Sequence, residues 1–175
     1  MSTPRSAEEA LAWLSAEGAH PWLVRHHELV VEAAGLLVEG LASLAVRLDR
    51  EHVLIGAAIH DAGKILHPRE MAQPGHDHEE SGEAMLLAAG LDAHIARACV
   101  THAAWSHPSA TIEDRLIALA DKLWKGKRDD ELERAVIEEL AASSGRPAWA
   151  IFETFDALCE QIAEAGPARL ARSAS

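Results

Sequence analysis

The chain has 175 residues, enough for one compact domain with a sizeable core. Its 28 acidic residues outnumber its 16 lysines and arginines, and the net charge of −12 argues against a sequence-independent grip on a nucleic acid backbone, which needs a basic face. Apolar residues make up 49% of the chain, as is typical of soluble globular proteins. The 11 histidines outnumber the five tryptophans and two phenylalanines together. Such an excess points to metal binding or acid–base chemistry.

Both cysteines lie in apolar segments with helical periodicity. We therefore expect Cys99 and Cys159 to be buried and unpaired, as in a reducing compartment. The first residues contain no apolar stretch typical of an export signal, and no run of about 18 apolar residues predicts a membrane span. The expected location is cytoplasmic, without membrane contact.

Most segments between glycines and prolines have helical periodicity. Ser6 and Glu9 have the spacing of a capping box and predict a first helix that ends at Gly18. Pro21 suits the first turn of a second helix, which continues into the mid-40s. Asp49 is the predicted N-cap of a third helix.

The third helix is predicted to end at Gly63, where a segment rich in glycine and proline begins. We predict that residues 63–78 form a long ordered loop, and a loop of that length in a short chain is usually functional. Periodicity and cap residues predict five further helices. They span 79–89, 92–104, Thr111–Lys125, Asp129–Ala142 and Pro147–Ala165.

No segment alternates apolar and polar residues in the way that a half-buried strand does. The chain is thus predicted to be an all-α protein of seven to eight helices, folded as a single domain over residues 1–166. Residues 167–175 are predicted to be a frayed tail.

A histidine and an aspartate directly follow the apolar run Val53–Ile59. His60 and Asp61 are therefore expected at the edge of the core, where a buried carboxylate needs a cation or hydrogen bonds as compensation. A carboxylate at a helix C-terminus is also unfavourable for the helix dipole, which favours a bound cation. A buried histidine beside a helix-terminal aspartate is the alternative interpretation of this pair taken alone.

Further candidate metal ligands lie on other predicted helices. His26 lies on the apolar face of the second helix, whereas its neighbour His27 is rotated off that face and is predicted to face solvent. Asp121 interrupts an apolar helix and needs either a cation or a salt bridge. His78 and His102 stand at helix ends, where a histidine is either a ligand or a surface residue. Side chains from facing helices can build a metal site within a bundle.

The order of these residues resembles the HD-domain superfamily of metal-dependent phosphohydrolases, over about residues 21–128. Five segments carry the resemblance. They are Arg25-His26, Ile59-His60-Asp61-Ala62-Gly63-Lys64-Ile65, His78-Glu79-Glu80-Ser81-Gly82, Thr101-His102 and Ala118-Leu119-Ala120-Asp121-Lys122. Together the five segments are specific for this superfamily, although each segment alone would be weak evidence. The GYP signature of the cyclic-di-GMP branch is absent, since the equivalent segment reads Met71-Ala72-Gln73-Pro74-Gly75. The resemblance therefore does not imply cyclic-di-GMP as the substrate.

The resemblance implies a helical bundle that binds one or two divalent transition metal ions. The ligands of a one-ion site would be His26, His60, Asp61 and Asp121. With His78 and His102 the set is similar to that of the two-metal members, in which Asp61 would bridge the ions. Imidazole and carboxylate ligands suit Mn, Fe, Co, Ni or Zn rather than an ion selected by thiolates.

Basic residues near these motifs are candidates for substrate contacts. Lys64 closely follows the His-Asp pair and either neutralises charge on a phosphate or acts as a favourable cation near a helix C-terminus. Lys122 and Lys125 belong to a basic cluster with Lys127 and Arg128. This cluster either recruits an anion or complements the helix dipole.

Several polar residues around the predicted loop have open roles. Glu79 and Glu80 either orient the imidazole of His78 or are exposed acids in the first turn of a helix. The roles of His67 and His76 stay open, because a polar loop holds both substrate contacts and spectators.

The sequence thus predicts a metal-dependent phosphohydrolase that acts on a small phosphorylated molecule or nucleotide through a metal-activated water. Asp61 and Lys64 are the predicted catalytic residues, and Lys64, Lys122 and Lys125 are predicted to bind the substrate. Two alternatives stay open: a di-iron oxygenase of the same superfamily, and an HD-type binding module without catalysis. No nucleic acid polymer is expected as a partner, and a homodimer is compatible with the sequence.

Overall fold

Side chains that accept hydrogen bonds from free backbone N–H groups define where several helices begin. The computed structural model describes residues 4–44 and 46–174. The hydroxyl of Ser6 accepts a hydrogen bond from the backbone N–H of Glu9. Asp49 caps the third helix in the same way. Thr111 and Asp114 form a reciprocal capping box. These three starts agree with the predicted ones.

The described residues form ten α-helices and three 3-10 helices, and no strand occurs among them. The α-helices are α1 (Ala7–Ala16), α2 (Pro21–Leu41), α3 (Arg50–Ile59), α4 (Asp77–Ala88), α5 (Ala93–Ala96), α6 (Ala98–Thr101), α7 (Ile112–Leu123), α8 (Asp130–Ser144), α9 (Ala148–Glu164) and α10 (Gly166–Ser173). The 3-10 helices are η1 (Ala42–Leu44), η2 (Ala62–Ile65) and η3 (Pro68–Met71). Eight of the α-helices have eight residues or more, so the prediction of an all-α fold with seven to eight helices is confirmed. None of the described helices is both long and apolar enough to cross a membrane.

The segment predicted to be one long loop is largely helical. Helix α3 ends at Ile59, and η2 and η3 follow before α4 begins at Asp77. These tight turns satisfy backbone groups that an open loop would leave to solvent. The predicted helix 92–104 is in turn divided at Arg97 into the two short helices α5 and α6.

Helix α3 belongs to two apolar cores at once. Val53 and Ala57 pack in the larger core, which is formed mainly with α2, α7, α8 and α9. Ile55 and Ile59 pack in a smaller core with α1, α4, α5 and α6. The residues that follow Ile59 therefore leave α3 between the helices of both cores, and this junction positions the site described below.

The tail that was predicted to be frayed forms α10. Arg169 is only 2% exposed. Its guanidinium donates hydrogen bonds to the carboxylate of Glu32 on α2, at 2.9 Å, and to the carbonyl of Ile162 on α9, at 2.7 Å. Arg172 binds the same carboxylate at 2.7 Å. Local periodicity does not predict this docking, because it depends on an ion pair between distant parts of the chain.

Candidate metal centre

Five stretches of the chain bring polar side chains together beyond the end of α3. The six predicted metal ligands all lie there. They are His26 on α2, His60 and Asp61 after α3, His78 in α4, His102 after α6 and Asp121 on α7. The four imidazoles are between 0 and 12% exposed, so the cluster lies at the edge of the core.

One oxygen of Asp61, Oδ2, faces a first group of ligand atoms. It lies 3.4 Å from Nε2 of His26 and 3.7 Å from Nε2 of His60. The two nitrogens are 3.4 Å apart, and Oδ1 of Asp121 lies 3.6 and 3.7 Å from them. Atoms that bind one tetrahedral ion at about 2.1 Å are about 3.4 Å from one another. The four atoms therefore have the spacing of a metal site.

The other oxygen of the same carboxylate, Oδ1, faces a second group. It lies 3.1 Å from Nε2 of His78 and 3.6 Å from Nε2 of His102. The ligand atoms of Asp61, His78 and His102 all lie within 4.8 Å of one another. One carboxylate thus stands between two pairs of imidazoles, as a ligand that bridges two ions would.

Hydrogen bonds at the far ring nitrogen orient three of the four imidazoles. Nδ1 of His60 lies 3.1 Å from the carbonyl of Ala57, and Nδ1 of His102 lies 3.0 Å from the carbonyl of Ala98. Because a carbonyl only accepts, both Nδ1 atoms carry the proton and both Nε2 atoms present a lone pair to the cluster. A carboxylate orients His78 in the same way. This is the tautomer in which a histidine binds a metal ion through Nε2.

Some buried polar atoms of the cluster have no hydrogen-bond partner among residues 4–44 and 46–174. They are Oδ1 of Asp61, Nε2 of His78 and Nδ1 of His26. The first two face each other at 3.1 Å, but both are acceptors when Nδ1 of His78 carries the proton. Leaving such groups unpaired costs about 1–3 kcal/mol each. A cation between Oδ1 of Asp61 and Nε2 of His78 removes that cost for these two atoms, so the residues fit a bound divalent metal ion.

Burial and mutual contacts favour the protonation states that metal binding requires. Burial lowers the pKa of His102 to about 4 and also lowers the pKa of His26, so both imidazoles are neutral at pH 7. Burial alone would raise the pKa of Asp61, but the surrounding imidazoles of His60, His26 and His78 together outweigh burial and hold the pKa well below its usual range. Burial would likewise raise the pKa of Asp121, but His60, Lys125 and His26 together lower it.

Two of the three predicted substrate-binding lysines border the cluster. Nζ of Lys64 lies 2.6 Å from Oδ2 of Asp61, and Nζ of Lys125 lies 3.3 Å from Oδ2 of Asp121. Both lysines and Asp121 are more exposed than the imidazoles, so they form the solvent side of the cluster. Lys122 instead forms its ion pair with the N-cap residue of α8.

Two glycines let α4 approach the end of α3. A Cβ atom at Gly63 would lie 1.9 Å from the carbonyl oxygen of His78 and 2.8 Å from the nitrogen of Gly82. A Cβ atom at Gly82 would lie 2.8 Å from the nitrogen of Gly63. Only glycine fits on both sides of this contact, which brings His78 within reach of Asp61.

The prediction that His27 faces solvent is wrong. The residue is 0% exposed, and its Nδ1 donates to the carbonyl of Ala57, which also accepts from His60. Helix α2 packs against α1, α3, α7 and α9, so more of its circumference is buried than the single apolar face predicts. A potential ligand atom of His27 also lies within 4.8 Å of those of His26 and His60. The ligand atoms of His26, His60, Asp61 and Asp121 are closer together, at 3.4 to 3.7 Å, so they form the better candidate site.

Glu70 in η3 is a site residue that sequence patterns do not reveal. Its Oε2 lies 2.5 Å from Nδ1 of His78. The sequence left open whether Glu79 or Glu80 orients His78 or whether both are exposed acids of the first turn. Glu79 instead accepts a hydrogen bond from His76, and Glu80 is exposed. The contact of Glu70 depends on the path of the chain through η3, and no periodic pattern encodes that path.

One further group of potential ligands lies in the same segment. His67, Glu70 and Asp77 have ligand atoms within 4.8 Å of one another. Asp77 is exposed, and Glu70 is already bonded to His78. This group is therefore a weaker candidate than the cluster around Asp61.

Comparison with known proteins agrees with this geometry. A family model described as HD domain matches residues 23–124, which is more than half of the chain and includes all six clustered residues. No curated protein and no solved structure gives a significant match. Members of this superfamily bind divalent metal ions and are largely metal-dependent phosphohydrolases, and the cluster could hold such an ion. The chain belongs to the HD domain family.

Proposed function

We propose that the protein is a metal-dependent phosphohydrolase that acts on a small phosphorylated molecule, such as a nucleotide. The observation that carries the proposal is the position of Asp61. Its two carboxylate oxygens face different pairs of imidazoles, with His26 and His60 on one side and His78 and His102 on the other. Asp121 completes the first group.

In this proposal His26, His60, Asp121 and Asp61 would hold one ion. His78 and His102 would hold a second ion together with the same aspartate. When bound, such divalent ions polarise a phosphoryl oxygen and lower the pKa of a bound water so that it becomes a nucleophile. The nitrogen and oxygen ligands suit Mn, Fe, Co, Ni or Zn.

The lysines at the solvent side are suited to the charge of a phosphate. Lys64 and Lys125 lie beside the two carboxylates of the cluster, at 2.6 and 3.3 Å. An ammonium at this position can donate a hydrogen bond to a phosphoryl oxygen as its negative charge grows. Lys122 would contact the substrate only after its ion pair with Asp129, at 3.2 Å, opens.

Burial of the cluster supports a small substrate. His60 is fully buried, and the other three imidazoles are at most 12% exposed. A terminal phosphate that projects from its parent molecule can reach such a site, whereas a duplex cannot enter it. The net charge of −12 also disfavours a polymeric polyanion.

Phosphate release under anaerobic conditions tests this proposal. Protein loaded with Mn²⁺, Co²⁺ or Ni²⁺ is incubated with a panel of nucleotides and phosphate monoesters and diesters, and we expect release from at least one class. Lys64→Ala should lower kcat/KM by about 10²–10³-fold. The matched control Arg134→Ala removes an exposed cation on α8, outside the cluster, and should leave kcat/KM unchanged.

Two outcomes would contradict the proposal. Oxygen consumption by iron-loaded protein with a polyol or a phosphonate, without anaerobic phosphate release, would identify an oxygenase. Full metal loading without turnover of any substrate class would identify a binding module.

A further inference from the structure

Glu70 makes three polar contacts with the first turn of α4. Its Oε2 lies 2.5 Å from Nδ1 of His78 and 3.2 Å from the backbone nitrogen of the same residue. Its Oε1 accepts a hydrogen bond from the backbone N–H of Asp77 at 3.2 Å. The side chain is 12% exposed, so this carboxylate is largely enclosed by the residues that it contacts.

These contacts fix the ring of His78. An ionised carboxylate only accepts hydrogen bonds, so Nδ1 of His78 is the protonated nitrogen and Nε2 carries the lone pair. That Nε2 faces Oδ1 of Asp61 and has no hydrogen-bond partner among the described residues. The backbone contact to His78 also fixes where the side chain begins. Glu70 therefore determines both the direction and the tautomer of this imidazole.

The chain around Glu70 is arranged to admit its carboxylate. A Cβ atom at Gly75 would lie 2.4 Å from Cδ and Oε1 of Glu70, so a side chain there would collide with the carboxylate. His76, the residue before α4, makes no capping hydrogen bond with its own side chain. The free N–H groups at the start of α4 are instead satisfied by Glu70 from η3.

We propose that Glu70 is a positioning residue for the second metal site, through its hold on Nδ1 and the backbone of His78. The inference rests on the two-ion function proposed above. A carboxylate that accepts the far N–H of a ligating histidine fixes the ring and increases its basicity, and its loss typically weakens metal binding by about 10–100-fold. Glu70 acts through His78 and does not itself bind the ion.

A titration with Mn²⁺ separates this role from simple capping of α4. Isothermal titration of metal-depleted full-length protein should show two sites in the wild type. Glu70→Ala should weaken the site of His78 and His102 by about 10–100-fold and leave the site of His26 and His60 unchanged. The amide oxygen in Glu70→Gln can still accept from Nδ1, so this variant should bind with intermediate affinity.

Glu79→Ala is the matched control. It removes one negative charge from the first turn of α4, next to His78, but the carboxylate of Glu79 contacts His76 instead. We expect this variant to bind both ions as the wild type does. A role limited to helix stability would instead lower the affinity of both sites together, in step with the melting temperature.

The inference is overturned if Glu70→Ala binds both ions with wild-type affinity, or if both sites weaken equally. A wild type that binds a single ion would also overturn it, because no second site would exist, while a one-ion form of the proposed function would stand. A wild type that binds none of Mn²⁺, Fe²⁺, Co²⁺, Ni²⁺ and Zn²⁺ would remove the proposed function together with this inference.

Discussion

Gly63 lies directly against the backbone of His78, and this contact joins the end of α3 to the start of α4. A Cβ atom at Gly63 would lie 1.9 Å from the carbonyl oxygen of His78. The Gly63→Ala variant should therefore push α4 away from Asp61. We expect a loss of about 1–3 kcal/mol in the free energy of unfolding from overpacking, and loss of one bound ion.

Gly35→Ala is the control for that substitution. Nothing lies within 4 Å of a Cβ atom at Gly35, in the middle of α2. The change should stabilise the protein by up to about 1 kcal/mol, because alanine is the better helix former. Chemical denaturation and metal analysis of both variants check the pair. Wild-type metal content in Gly63→Ala would contradict the role given to this contact.

Asp61→Asn should remove both ions. The amide keeps the size of the side chain but loses the charge that two groups of imidazoles share. Elemental analysis after metal loading should give well under one ion per chain. Asp130→Asn, which changes an exposed aspartate in the first turn of α8, should retain the wild-type content. One tightly bound ion in Asp61→Asn would mean that this carboxylate does not bridge.

Metal affinity should fall as the pH decreases from about 8 to about 5, because a protonated imidazole cannot bind a metal ion. Burial alone would lower the pKa of His78, but the adjacent carboxylates of Asp61 and Glu70 outweigh it and raise the pKa above the ordinary value. The pKa values of His26 and His102 are lowered, so these two protonate only at lower pH. The site of His78 should therefore weaken first. Mn²⁺ dissociation constants measured across this range check the order, and constant affinity would exclude imidazole ligation.

Docking of α10 should depend on the ionised form of Glu32. Burial alone would raise the pKa of Glu32, but Arg172 and Arg169 outweigh it and lower the pKa. The ionised carboxylate of Glu32 therefore stabilises the fold at pH values above its unfolded-state pKa. This stabilisation is lost as the pH falls through the lowered folded-state pKa. Glu32→Gln should lower the free energy of unfolding by about 1–2 kcal/mol at pH 7, mainly because the buried Arg169 loses its charged partner.

The difference in the free energy of unfolding between Glu32→Gln and the wild type should shrink as the pH falls below the ordinary pKa of a glutamate and through the lowered folded-state pKa. Glu28→Gln on the same helix removes an exposed ion pair with Arg25 and should cost at most about 0.5 kcal/mol. Urea denaturation at pH 7 and pH 3.5 measures both variants. An equal cost at both pH values would mean that the charge of Glu32 does not hold α10.

The sequence predicts those features that depend on local chemistry. Cap residues such as Asp49 and Thr111 set helix starts, since each satisfies a backbone N–H within three residues. The apolar run before His60 and Asp61 places both at the edge of the core, because the run itself must be buried. His26, His60, Asp61, His102 and Asp121 come together for the same reason, since each lies on, follows or interrupts an apolar helical face. His78 instead depends on the close approach of α4 to Gly63.

The features that sequence analysis missed depend on long-range packing. His27 is buried because several other helices pack around α2, and the sequence of α2 alone does not reveal how much of its surface they cover. Glu70 reaches His78 through the path of η3, and the ion pair of Arg169 with Glu32 joins distant helices. Such contacts follow from the assembled bundle rather than from any segment alone.

The positions of bound ions are the sharpest test of a two-ion site at Asp61. Anomalous diffraction from crystals of the full-length protein soaked in MnCl₂ should give two peaks on either side of Asp61. One peak should lie among His26, His60 and Asp121, and the other between His78 and His102. A peak only at the group of His67, Glu70 and Asp77, or no peak beside Asp61, would contradict the account.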